Sequence, residues 1–166
     1  MEAMMMRALP GAANDGGDQV DMEAASGAAS DVSARRDAMA GTLQWLLDEV
    51  VAETMLATEG QPPSLERAWR GIETHLDAYL RRPAIRVLAA ALHGHAGAQQ
   101  VKRRCIGGLA LVFQVEFNSI GLPLAVAHSR VVNAMVMEAQ KAENEARRAL
   151  PEYRSALHRY LLSLQP

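Results

Sequence analysis

From residue 34 onward the apolar positions of this chain recur three and four residues apart. Met39, Leu43, Leu46, Leu47, Val50, Val51 and Met55 keep that spacing, so residues 34–59 are expected to form a helix that stops at Gly60. Pro62 and Pro63 make a turn, and Ser64 is a good N-cap for a second helix over 65–82. Leu65, Trp69, Ile72, Leu76, Tyr79 and Leu80 form its apolar stripe. Pro83 suits the first position of a short helix reaching His93, with Ala84, Ile85, Leu88 and Leu92 on one side.

After a loop at His93-Gly94-His95-Ala96-Gly97, a long helix is expected over 98–120. It is apolar nearly all round from Leu109 to Phe117, as a helix buried on most sides must be. Gly121 supplies its stop, and Pro123 opens a helix over 123–148 that begins apolar and ends in charge. Pro151 starts a last helix with Tyr153, Leu157, Tyr160, Leu161 and Leu164 facing inward. The fold class expected is all-α, a bundle of six helices with no strand and no internal repeat. Residues 1–33, rich in Gly, Ala, Asp and Ser, lack any such period and are expected to be a disordered tail ahead of a helical domain at 34–166.

Composition narrows the picture. The 166 residues amount to one domain, 49% hydrophobic but only 4% aromatic, so Leu, Val, Ala and Met must fill the core. The net charge of -2 argues against a broad nucleic-acid footprint. Residues 1–33 hold six acids and one base, so the tail is acidic. With Cys105 the single cysteine, neither an intrachain disulfide nor a cysteine metal cluster can form. No apolar run reaches the length of a membrane span and no secretory leader is recognisable, so a cytoplasmic setting without membrane contact is expected.

Candidate chemistry is sparse. His93 and His95 could share an ion, but no third ligand accompanies them, and no metal or cofactor is expected. His75, at the edge of the Trp69–Tyr79 stripe, is either a hydrogen-bonded core histidine or a polar contact in an apolar pocket. Glu116, set among Phe113, Val115 and Phe117, needs an interhelical partner or a place in a pocket, and its spacing favours neither. Cys105 follows Lys102, Arg103 and Arg104, cations that could activate a thiol, although small buried cysteines are commonly inert. No nucleophile elbow or phosphate-binding glycine loop is present, so no catalytic residue is assigned and a non-enzymatic protein is expected.

The run LERAWRGIETHLDAYLRRPAIRVLAAALHGH and the closing stretch VVNAMVMEAQKAENEARRALPEYRSALHRYLLSL resemble the C-terminal regulatory domain of TetR-family transcription repressors. The resemblance covers about residues 40–164. It implies a helix ending before a proline, a short helix, a long one, and two final helices that pair with a second subunit. It also implies a pocket between the helices at 65–82 and 98–120, lined by Trp69, Ile72, His75, Tyr79, Leu109, Phe113, Glu116 and Phe117. The dimer face it implies comprises Val131, Met135, Leu157 and Leu161. The family's helix-turn-helix has no counterpart in residues 1–33, which offer almost no base for phosphate contacts, so direct DNA binding is not expected. The leading expectation is therefore a homodimeric, TetR-like regulator that binds a transcription factor or other protein, as an antiactivator does, or a small apolar effector. The alternatives are the effector domain of a DNA-binding repressor whose reader domain is missing from this chain, and a small-molecule carrier or enzyme using His75 or Glu116.

Overall fold

The computed structural model describes residues 17–165, with side chains from residue 30 onward. Among the described residues six helices follow one another: α1 Gly17–Thr58, α2 Leu65–Leu80, α3 Pro83–Ala91, α4 Ala96–Ser119, α5 Ala125–Ala146 and α6 Pro151–Leu162, with no strand. The chain divides into two units, Met1–Arg35 and Arg36–Pro166. None of the described helices is long and apolar enough to cross a membrane.

The all-α expectation holds, but one boundary moves far. Helix α1 begins at Gly17, so residues 17–33, expected to be disordered, are helical. Ala, Glu, Met and Gln in this stretch favour helix by intrinsic propensity, which a search for an apolar face does not register. The disorder expected of residues 1–16 concerns positions outside those described.

Within Arg36–Pro166 the apolar stripes build two clusters, and α2 contributes to both. Ile72 and Leu76 of α2 pack with Phe113 and Phe117 of α4, Val132 and Val136 of α5, and Leu157 and Leu161 of α6. Ala78, farther along α2, joins Leu43, Leu47 and Val50 of α1, Ile85 of α3, Leu92, and Ala98 of α4. Burial of each Leu, Ile or Phe side chain contributes about 1.5–3 kcal/mol. This packing corrects half of the expected dimer face. Leu157 and Leu161 are buried in the protomer's own core, whereas Val131 is exposed and Met135 partly so. The reason is that α6 is short and uses its one apolar stripe to close on α2 and α5.

Local chemistry fixes the helix ends. The Ser64 hydroxyl accepts from Arg67 N–H at 3.0 Å, capping α2 as expected. At the end of α4, Gly121 takes a φ of 72°, Gly121 N–H donates to Asn118 O at 3.0 Å and Leu122 N–H to Phe117 O at 2.9 Å. These two bonds form a Schellman close. Helix α5 starts at Ala125 rather than Pro123, because Leu124 sits in the left-handed region at φ 56°. It ends at Ala146, earlier than expected, because Arg147 is also left-handed at φ 56°. Arg147→Gly should remove this strain and raise stability by about 1 kcal/mol, read as a higher urea midpoint at an unchanged m-value.

Candidate functional site

Helices α1 and α4 run side by side in the same direction. At one end His95 Nε2 lies 3.2 Å from Asp37 Oδ1, and Ala40 Cβ is 3.8 Å from where a Cβ on Gly97 would stand. At the other end Arg67 donates to Gln61 O at 2.7 Å and lies 3.7 Å from Glu116 Oε2. Between these ends the two helices leave a cleft of about 420 Å³, with α2 as its floor.

The cleft exists because small residues face it. Ala68 and Gly71 of α2 and Gly108 of α4 leave open the volume that larger side chains would fill. A Cβ on Gly71 would lie 3.5 Å from the Thr58 methyl and 3.8 Å from the Thr54 methyl. Both threonine hydroxyls are already bonded within α1: Thr54 Oγ1 donates to Val50 O at 2.8 Å, Thr58 Oγ1 to Thr54 O at 3.2 Å. These two residues therefore present apolar surface to the floor. Leu47, Val51 and Met55 of α1 and Leu109, Val112 and Phe113 of α4 complete the apolar walls.

Gln44, Asp48, Arg67 and Arg104 line the cleft alongside three further polar groups. Glu116, 8% exposed, accepts from Ser64 N–H at 2.9 Å through Oε1. It thus satisfies an otherwise free donor at the start of α2, as a capping-box glutamate does from within one helix, and its charge suits the positive end of that helix. Of the two fates open to it in the sequence it has both, an interhelical partner and a place in the cleft wall.

His75 lies on the floor and is buried. Its Nε2 is 3.3 Å from Gln140 Oε1, a contact that selects the neutral tautomer protonated at Nε2. Nδ1 is then an acceptor, buried and without a hydrogen-bond partner. Desolvation pushes the His75 pKa below its usual value, and the Gln140 bond opposes this less strongly. Cys105 also lines the cleft, and burial pushes its thiol above the ordinary cysteine range, with Asp48 adding to the effect. The neighbouring cations do not activate it.

Of the residues expected in a pocket, His75, Leu109, Phe113 and Glu116 meet here, and α1 supplies a whole wall outside the expected set. The other four lie elsewhere. Trp69 stacks on His158 of α6 at 4.5 Å between ring centroids. Ile72 and Phe117 are fully buried in the larger cluster, and Tyr79 packs on the α1 cluster. Trp69 and Ile72 directly follow Ala68 and Gly71, and each successive residue turns about 100° around α2. Tyr79, four residues past His75, keeps nearly the same side but stands one turn beyond the cleft. The apolar stripe thus marks the core, and the smaller residues beside it mark the cleft.

A second hollow of about 690 Å³ lies among Pro63–Glu66, the α4–α5 turn and the end of α6. It is lined mainly by turns and helix ends, with Leu65 and Glu66 of α2, His128 of α5 and the last turns of α6. Among the described residues no group of three or more His, Cys, Asp or Glu side chains could hold a metal ion. His93 is exposed and His95 is turned to Asp37.

Sequence reading missed the most connected polar group. Glu143, 1% exposed, accepts from Leu150 N–H at 3.0 Å and from Arg154 Nε and Nη2 at 2.7 and 2.9 Å. Arg154 Nη1 donates to Asp77 Oδ1 at 2.7 Å, tying α5 and α6 to α2. The signal was present: Ser129, Val132, Val136, Ala139 and Glu143 keep a buried three-four spacing, so a charge at its last position needs a partner. Searches among protein-family models, curated proteins and solved structures find no match to this chain.

Proposed function

We propose that the protein is a non-enzymatic regulatory protein of the TetR effector type, and that the α1–α2–α4 cleft takes a small, mainly apolar ligand. The observation that carries this reading is the cleft itself. Its volume of about 420 Å³ lies within the usual range for ligand sites, and apolar walls with a few convergent polar groups are the usual lining. His75 lies on the floor, and Arg67 with Glu116 closes one end. Cys105 and His75 both line the cleft, but the raised thiol pKa argues against a nucleophile. From Asp37 to Thr58, α1 carries acids and no Lys or Arg, so no DNA contact is assigned to it.

A thermal-shift screen tests the proposal with decanoate, dodecanoate, alkylphenols and nucleotides as probes. An acyl or aromatic probe at 100 times its Kd should stabilise the protein by roughly 2.7 kcal/mol, seen as a higher Tm. Val112→Trp, which puts a large ring at the cleft wall, should remove the shift without lowering the Tm of the free protein. If no apolar probe moves the wild-type Tm, or if Val112→Trp leaves the shift intact, the cleft is not the binding site.

A further inference from the structure

The outer rims of the cleft carry apolar side chains that the fold leaves uncovered. Trp45 and Leu56 on α1 are 59% and 71% exposed, and Leu111 and Val115 on α4 are 58% and 57% exposed. With Met55 and Val112, they make an apolar band across two adjacent helices, a surface that monomeric proteins seldom leave bare. The face of α5 that includes Val131 is less apolar: exposed Ala127, Ala134 and Glu138 and partly buried Met135 lie along it beside that valine.

The same two helices differ in charge. Asp48 and Glu49 are exposed on α1, and Arg103 and Arg104 are exposed on α4. Because α1 and α4 run parallel, with Asp37 level with His95 and Gln61 close to Glu116, Asp48 stands near the level of Arg104. Leu56 stands level with the Leu111–Val115 stretch by the same offset. A two-fold axis along the cleft keeps every level and exchanges left for right. It sets α1 of one copy on α4 of the other, Asp48 opposite Arg104 and Leu56 opposite Leu111 and Val115, and does so twice. Self-complementarity of this kind is what an isologous interface requires.

We propose that a second copy of this chain covers the α1–α4 face, forming a four-helix interface that roofs both clefts. This does not rest on the ligand reading, since the apolar band and the charges are needed whether or not the cleft is filled. The dimer interface therefore moves from the last two helices to α1 and α4.

Sedimentation equilibrium of the full chain tests this, with circular dichroism to check that each variant is folded. The wild type should be dimeric in the micromolar range. Leu111→Glu and Arg104→Glu, both at exposed positions, should each raise the dimer Kd by about tenfold or more. Adding Asp48→Arg to Arg104→Glu should restore dimerisation, and Val131→Glu should leave it unchanged. A wild-type monomer at about 100 µM overturns the proposal. So does a dimer that Val131→Glu dissociates while Leu111→Glu and Arg104→Glu do not, and a charge exchange that fails to restore the dimer overturns the pairing of α1 with α4. Ligand binding by a monomeric wild type would leave the cleft reading standing, so the two can fail separately.

Discussion

Glu143→Ala should lower the free energy of unfolding by about 3 kcal/mol at neutral pH, the low end for breaking a buried ion pair. Removing the carboxylate strands two groups at once. Leu150 N–H loses its acceptor at the start of α6, and the Arg154 guanidinium loses two of its three carboxylate contacts. Arg154 keeps the bond to Asp77, whose side chain is about half exposed, and this holds the loss to the low end. In the wild type the bond to Glu143 raises the Arg154 pKa. Without it the guanidinium still keeps its proton at any usable pH, because arginine is effectively always protonated, so the stranded group stays charged. Glu143→Gln keeps an acceptor for Leu150 and should lose less. Urea denaturation of the three proteins at pH 7 decides it. A loss under about 1 kcal/mol, the value of an exposed pair, would mean that the cluster does not clamp α5 and α6 onto α2. Since α2 is the cleft floor, the clamp also bears on the site.

The second large effect concerns pH. His75 is held neutral in the folded protein by burial, whereas in the unfolded chain it protonates near its usual value of 6.5. Below that value the unfolded state binds a proton that the folded state does not, so stability falls as pH falls, until the lowered folded pKa is reached. Above it both states are neutral and the contribution vanishes. The slope of wild-type stability below pH 6.5 should therefore exceed that of His75→Gln by as much as about 1.4 kcal/mol per pH unit, the limit for one proton.

Glu53, held below its ordinary range chiefly by its hydrogen bond to Arg82, acts in a lower window. Its contribution is present above its unfolded value of 4.5 and lost as pH falls through the folded one. The two effects separate when wild type and His75→Gln are compared by urea denaturation between about pH 7.5 and 5, a range that crosses the histidine reference value and stays above the glutamate one. Equal slopes would show that His75 is solvated in the folded state.

Much of the fold was legible in the sequence. Three-four spacing located α2 to α6 within a few residues, and the residues that end them named their own roles: Ser64 as a cap, Gly121 as a left-handed stop, Pro83 and Pro151 at first positions. The cleft was only half legible. Glu116 and His75 stood out because a polar group on an apolar stripe must have a reason, and both line the cleft. The wall from α1 was not legible as a wall, because the three-four spacing of Leu47, Val51 and Met55 marks an apolar side of the helix without saying whether a neighbour fills the space against it.

What the sequence by itself determined is the number, the order and most of the boundaries of the helices, because these follow from backbone preference and from periodicity along one helix. Tertiary structure alone decided where each stripe is spent. Ile72 goes to the core and Gly71 beside it to a cleft, Leu157 and Leu161 to the core of the protomer, and Glu143 to a half-buried arginine eleven residues on. Periodicity records which residues share a side of a helix. Which neighbour covers that side, and whether the two surfaces fill the space between them, depends on side chains far apart in the chain.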